Sequence, residues 1–98
     1  MQIGEFQALI EKLYFERDSA RGMGGTFMWF AEEVGELATA LREGDRKMQE
    51  GEFADVLAWL CTLASLAGIR MEDAIAKYAV GCPTCNANPC ACPPEEKR

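Results

Sequence analysis

Hydrophobic positions recur along the first eighty residues with the period of a helix, and nowhere with the period of a strand. Ile3, Phe6, Ile10, Leu13 and Tyr14 follow one another at helical spacing, which predicts a helix over about residues 2–18. The stretch Ser19–Gly25 holds three glycines and reads as a loop. Phe27, Phe30, Val34, Leu37 and Leu41 mark a second helix that Gly44 stops. Asp45 can cap the turn into a third, whose stripe is Phe53, Val56, Leu57, Leu60, Leu63, Ala64 and Ala67, with Gly68 at its end. Gly51 sits poorly in that helix and is expected to delay its start. A shorter fourth helix over about residues 71–80 carries Ala74, Ile75 and Tyr78. The expected fold is all-α, a four-helix, bundle-forming domain. Its central helices are antiparallel because the connection between the second and third is short.

A break in composition at Gly81–Cys82 divides residues 1–80, the helical domain, from a Cys/Pro-rich tail over residues 81–98. Ninety-eight residues make one domain, and 49% hydrophobic residues allow a core that is modest for its surface. Pairing is the usual remedy, so a homodimer is expected. The formal charge of −6 repels nucleic-acid backbones and anionic membranes, so neither is expected as a partner. An acidic protein that handles phosphates needs divalent cations to bridge like charges. The apolar runs are interrupted too often to span a bilayer. The N-terminal segment is amphipathic and acidic, unlike a signal peptide, and a cytoplasmic location is expected.

The chain contains no histidine. That excludes Ser–His and Cys–His nucleophilic pairs, His-ligated zinc hydrolysis and the carboxylate–histidine di-iron bundle. Carboxylates are the chemistry that remains prominent. Glu33 and Glu36 are three apart, as are Glu52 and Asp55, so each pair lies on one face of its helix. Every one of these acids immediately precedes a stripe residue (Val34, Leu37, Phe53, Val56), which sets it beside the buried face, about 100° around the helix. In an antiparallel hairpin Glu36 comes level with Glu52, and Glu33 with Asp55. Four converging carboxylates repel one another unless a cation lies among them, and an all-oxygen set suits Mg²⁺ or Mn²⁺. The plainer reading is a solvated acidic helix face; two pairs at the same spacing and the same edge weigh against it.

Trp29 lies four residues before Glu33, and Trp59 four after Asp55. The antiparallel register brings both indoles to one end of the acidic cluster, where a base could stack beside its phosphates, an interaction worth about 1–3 kcal/mol. The competing reading makes them core residues.

Glu32-Glu33-x-x-Glu36, followed after 15 intervening residues by Glu52-x-x-Asp55, resembles the EExxE…ExxD signature of the MazG-like nucleotide pyrophosphohydrolases, in the all-α NTP pyrophosphatase superfamily. The resemblance extends to Glu-Glu-Val-Gly-Glu-Leu and Glu-Phe-Ala-Asp-Val-Leu and, as a helix pattern, to about residues 5–80. It implies hydrolysis of a nucleoside triphosphate between the α and β phosphates, giving a monophosphate and pyrophosphate. It further implies Mg²⁺ on Glu33, Glu36, Glu52 and Asp55, and a dimer or dimer of dimers. Glu32 would support the ligands or activate the attacking water. A cation should meet the phosphates; Lys77 is the leading candidate, because the superfamily places basic residues in its final helix, while Arg17 and Arg21 read as surface cations.

The tail carries Cys82, Cys85, Cys90 and Cys92, spaced C-x2-C-x4-C-x-C. Four thiolates could close a tetrahedral Zn²⁺ site, although the central gap demands a tight fold-back helped by Pro83, Asn86, Asn88 and Pro89. Two disulfides, or a disordered tail with reactive thiols, are the alternatives. Cys61 falls within an apolar pattern and reads as a small buried hydrophobe. Two other functions stay open: a non-catalytic helical partner protein with an acidic binding face, and a redox or metal module in which the tail does the work.

Overall fold

The computed structural model describes residues 1–97; Arg98, the last residue of the tail, lies outside the described residues. It is all-helical, with no strand among the described residues. Three α-helices, α1 (Ile3–Glu43), α2 (Arg46–Leu66) and α3 (Met71–Ala74), precede a 3₁₀ turn, Ile75–Tyr78, and the tail. No single helix among these residues is long and apolar enough to cross a membrane.

A straight helix of 41 residues would reach about 60 Å, at 1.5 Å per residue. The longest dimension of the molecule is 43 Å, so α1 must bend. It does so at Gly22, whose φ of 86° and ψ of 173° belong to a region open essentially to glycine alone. The loop expected over Ser19–Gly25 therefore shrinks to one non-helical residue, and Gly24 and Gly25 are helical. Side chains explain the difference. The Arg21 guanidinium donates to Asp18 Oδ1 at 2.7 and 3.0 Å on one side of the bend and to Thr26 Oγ1 at 3.2 Å on the other. A Cβ at Gly22 would meet nothing within 4 Å, so the cost of Gly22→Ala is backbone strain alone. We expect it to destabilise the fold by about 1–3 kcal/mol, measured by urea denaturation.

Gly44 and Asp45 turn the chain back. A Cβ at Gly44 would lie 2.8 Å from the Ala40 carbonyl oxygen, so only glycine permits this approach. Asp45 Oδ1 accepts the Met48 N–H at 2.9 Å and caps α2, which starts at Arg46. Gly51 does not delay the helix, because the cap nucleates it one turn earlier. Gln49 Nε2 donates to the Ala40 and Gly44 carbonyls at 3.1 and 3.2 Å, satisfying the end of α1. Further contacts run in opposite order along the two helices. Asp18 accepts from Thr62 Oγ1 at 3.2 Å, and Gln7 donates to Ser65 Oγ at 3.0 Å. The pair is antiparallel, as the short connection predicts.

Beyond α2, Gly68 adopts a φ of 73° and reverses the chain. Gln7, buried near the start of α1, organises this corner: Nε2 donates to Ile69 O at 2.9 Å and Oε1 accepts the Met71 N–H at 2.7 Å. The fourth helix expected over residues 71–80 is shorter and tighter than the pattern predicts. Its α-helical part is α3, and the 3₁₀ turn follows. Ile75 and Tyr78 stay exposed, so the packing that sustains a longer helix is missing.

Among the described residues only Ile10, Ala40 and Cys61 are buried apolar residues. Phe27, Val34, Leu41 and Phe53, all members of the apolar stripes, remain exposed at 57%, 44%, 54% and 55%. The two stripes do not fully cover each other within one chain.

Candidate active site

Two helices bring the acids together as their spacing requires. One carboxylate oxygen from each of Glu33, Glu36 and Glu52 lies within 4.8 Å of the other two. Glu33 and Glu52 are half-buried, and Glu33 Oε2 and Glu52 Oε2 are fully buried with no hydrogen-bond partner. Leaving such an atom unpaired costs about 1–3 kcal/mol, and more if it is charged. Burial, reinforced by Glu36 and then by Asp55 and Glu52, pushes the Glu33 carboxyl up to about 7. Asp55 is exposed at the rim, near enough to act on Glu33 but outside the tight trio. Glu32 is exposed and does not belong to the cluster.

Beside Asp55 opens a cavity of about 290 Å³ lined by Tyr14, Arg17, Asp18, Arg21, Asp55 and Trp59, among others. The Arg21 guanidinium lies 5.0 Å over the Trp59 ring, a cation–π contact. Asp18 is 5% exposed, and its two oxygens serve Arg21 and Thr62. The arginine is thus held by a buried carboxylate, a hydroxyl and an indole, rather than waving in solvent.

This geometry redistributes the residues picked from sequence. Trp59 reaches the cavity; Trp29, half exposed, does not line it. Lys77 does not line it either. Its Nζ lies 5.3 Å from the Tyr78 ring centroid, and it faces a second cavity formed with the cysteine tail. The short α3 carries the chain away before Lys77 is reached. Arg17 and Arg21, which read as surface cations, are the basic residues beside Asp55. The bend at Gly22 brings them there, and nothing in the helical period foretells its angle. Periodicity places Tyr14 in the apolar stripe and gives no sign of the cavity, and the one local signal for Asp18 is the Asp18-x-x-Arg21 spacing of an ion pair.

The fold and the site define an all-helical protein whose clustered carboxylates could hold a cation beside an arginine-lined cavity. The MazG nucleotide pyrophosphohydrolase domain matches residues 24–84, more than half of the chain, and the chain belongs to that family. A search of curated protein sequences found no match to the chain.

Proposed function

We propose that this protein hydrolyses nucleoside triphosphates to the monophosphate and pyrophosphate, with Mg²⁺ (Mn²⁺ as a substitute) held by Glu33, Glu36, Glu52 and Asp55. Family membership supports a nucleotide pyrophosphohydrolase. The observation that carries the metal assignment is the pair of buried, unpartnered oxygens on Glu33 and Glu52. A hard divalent cation is the ligand that turns such a repulsive all-oxygen set into an attractive one. When bound, it would polarise the phosphates and supply a more acidic water.

The remaining roles belong to the chain. Trp59 offers a face on which a base stacks, and Arg21 and Arg17 supply positive charge for the phosphates. Asp18 holds the Arg21 guanidinium in place. Glu32, which precedes Glu33 in the chain and is exposed, is assigned the role of activating the attacking water or of supporting the ligands. In this reading residues 1–80 are the catalytic domain, residues 81–98 an appended tail, and the protein is cytoplasmic. The uncovered apolar stripe of Phe27, Val34, Leu41 and Phe53 supports assembly as a homodimer or dimer of dimers, in which a second copy completes the helical bundle.

The test is a pyrophosphate-release screen over ribo- and deoxynucleoside triphosphates with Mg²⁺ and with Mn²⁺, run alongside a sedimentation measurement of the assembly. Turnover of at least one triphosphate, abolished by chelator, is the expected result. Folded protein that releases no pyrophosphate from any of them would end this reading and leave the acidic face as a protein-binding surface.

A further inference from the structure

The four cysteines of the tail take no part in the carboxylate site, yet they are gathered more tightly than four scattered thiols would be. Cys82 Sγ is 3.6 Å from Cys90 Sγ and 3.8 Å from Cys92 Sγ, and Cys85 Sγ is 4.0 Å from Cys90 Sγ. All four sulfurs lie within 4.8 Å of one another, and none is in a disulfide. Zinc–sulfur bonds of about 2.3 Å in a regular tetrahedron place the sulfurs about 3.8 Å apart. The three shortest contacts, 3.6, 3.8 and 4.0 Å, straddle that value.

The backbone is shaped to hold them. Cys82 N–H donates to Ala87 O at 3.0 Å, and Asn86 N–H donates to Cys82 O at 2.7 Å, closing a tight loop around the first two cysteines. Asn86 takes a φ of 63°, a left-handed value that asparagine accepts more readily than most residues. Gly81 takes a φ of 131°, and a Cβ there would lie 3.0 Å from the carbonyl oxygens of both Asn86 and Ala87. This fold-back is what the four-residue central gap required. Amide hydrogens then turn inward: Ala91 N–H donates to Cys85 Sγ and Cys92 N–H to Cys90 Sγ, each at 3.3 Å. Donors aimed at sulfur stabilise thiolate charge around a metal and fix the ligand positions.

We propose that Cys82, Cys85, Cys90 and Cys92 form a closed, structural zinc site that folds the tail against the end of the helical region, independently of the carboxylate site. Four soft thiolates with no open position select zinc over magnesium, and without an exchangeable ligand the site is not catalytic. Its role is to order a segment whose four prolines, two asparagines and scant apolar content give it little core of its own.

The test uses the full chain, purified under reducing conditions and exposed to zinc chloride, with metal content read by elemental mass spectrometry. Stoichiometric zinc is expected in the wild type and in Glu33→Gln, and none above background in the Cys82→Ser/Cys85→Ser variant. Replacing zinc with cobalt in the wild type should give the thiolate-to-cobalt charge-transfer bands of a tetrahedral sulfur site, a readout that does not depend on the variant folding. Wild type with no zinc, iron in its place, zinc retained by the double serine variant, or a cobalt spectrum lacking sulfur ligation would each overturn the assignment. Because pyrophosphate release is not the readout, failure here and failure of the hydrolase reading are separate results.

Discussion

Glu33→Gln is expected to lower cation-dependent pyrophosphate release by at least about 100-fold, because it removes a ligand and not merely a supporting contact. The same change should make the cation-free protein more stable at alkaline pH, a combination that a solvated helix face would not produce. The sign follows from the Glu33 carboxyl, which titrates at about 7 in the fold against an ordinary value of 4.5, chiefly through burial and then through Glu36. Between those two values the folded chain holds a proton that the unfolded chain has lost. Stability of the cation-free protein therefore falls as pH rises through this window and is lowest above about 7. A divalent cation replaces the proton, so its stabilising effect should be small near pH 5 and grow through neutrality. Thermal denaturation with Mg²⁺ and with chelator, across pH, measures both. If wild type and Glu33→Gln show the same pH slope without cation, the cluster does not behave as a coupled carboxylate site.

Asp18→Ala should cost about 2–3 kcal/mol in urea denaturation, less than a fully buried pair because the Arg21 side chain keeps 24% of its exposure. The loss has two parts: Thr62 Oγ1 forfeits its acceptor, and the guanidinium forfeits the carboxylate that anchors it. On the proposed function, the protein that remains folded should have a raised KM for triphosphate, since the Arg21 guanidinium is no longer fixed over Trp59. Asp18→Asn keeps an acceptor for Thr62 and should recover part of the stability. Unchanged KM in folded Asp18→Ala would remove Asp18 and Arg21 from substrate positioning and leave them as the brace of the bend.

That brace joins residues whose meeting depends on the bend, whereas the acidic pairs depend on local spacing alone. The acidic pairs were legible because i,i+3 spacing and a place beside an apolar stripe are local properties. A helix that turns Val34 and Leu37 to one side must carry Glu33 and Glu36 just around its flank, and the same holds for Phe53 and Val56 with Glu52 and Asp55. The short Gly44–Asp45 connection then fixed the register that brings Glu33, Glu36 and Glu52 together. The cationic side was not legible in the same way. Arg17 and Arg21 resemble any exposed arginines until α1 bends, and a cluster of three glycines reads as a flexible loop when a single strained residue is enough. Lys77 had the better argument by position and lies elsewhere, because a helix without a packed face does not persist to the length its pattern suggests.

What the sequence determined by itself is what local chemistry enforces: the helical class, the acidic pairs on their faces, the lack of any histidine-based mechanism and a tail that carries four closely spaced cysteines. What only the tertiary structure decided depends on angles and on residues distant in the chain. The direction of the bend at Gly22 makes a cavity of Tyr14, Arg21 and Trp59. Packing, and not periodicity, leaves one oxygen of Glu33 and one of Glu52 buried without a hydrogen-bond partner. The fold-back through Gly81 and Asn86 brings four sulfurs, ten residues apart at most, within 4.8 Å of one another. Periodicity specifies which face a side chain occupies; what that face meets is set by the packing of the whole chain.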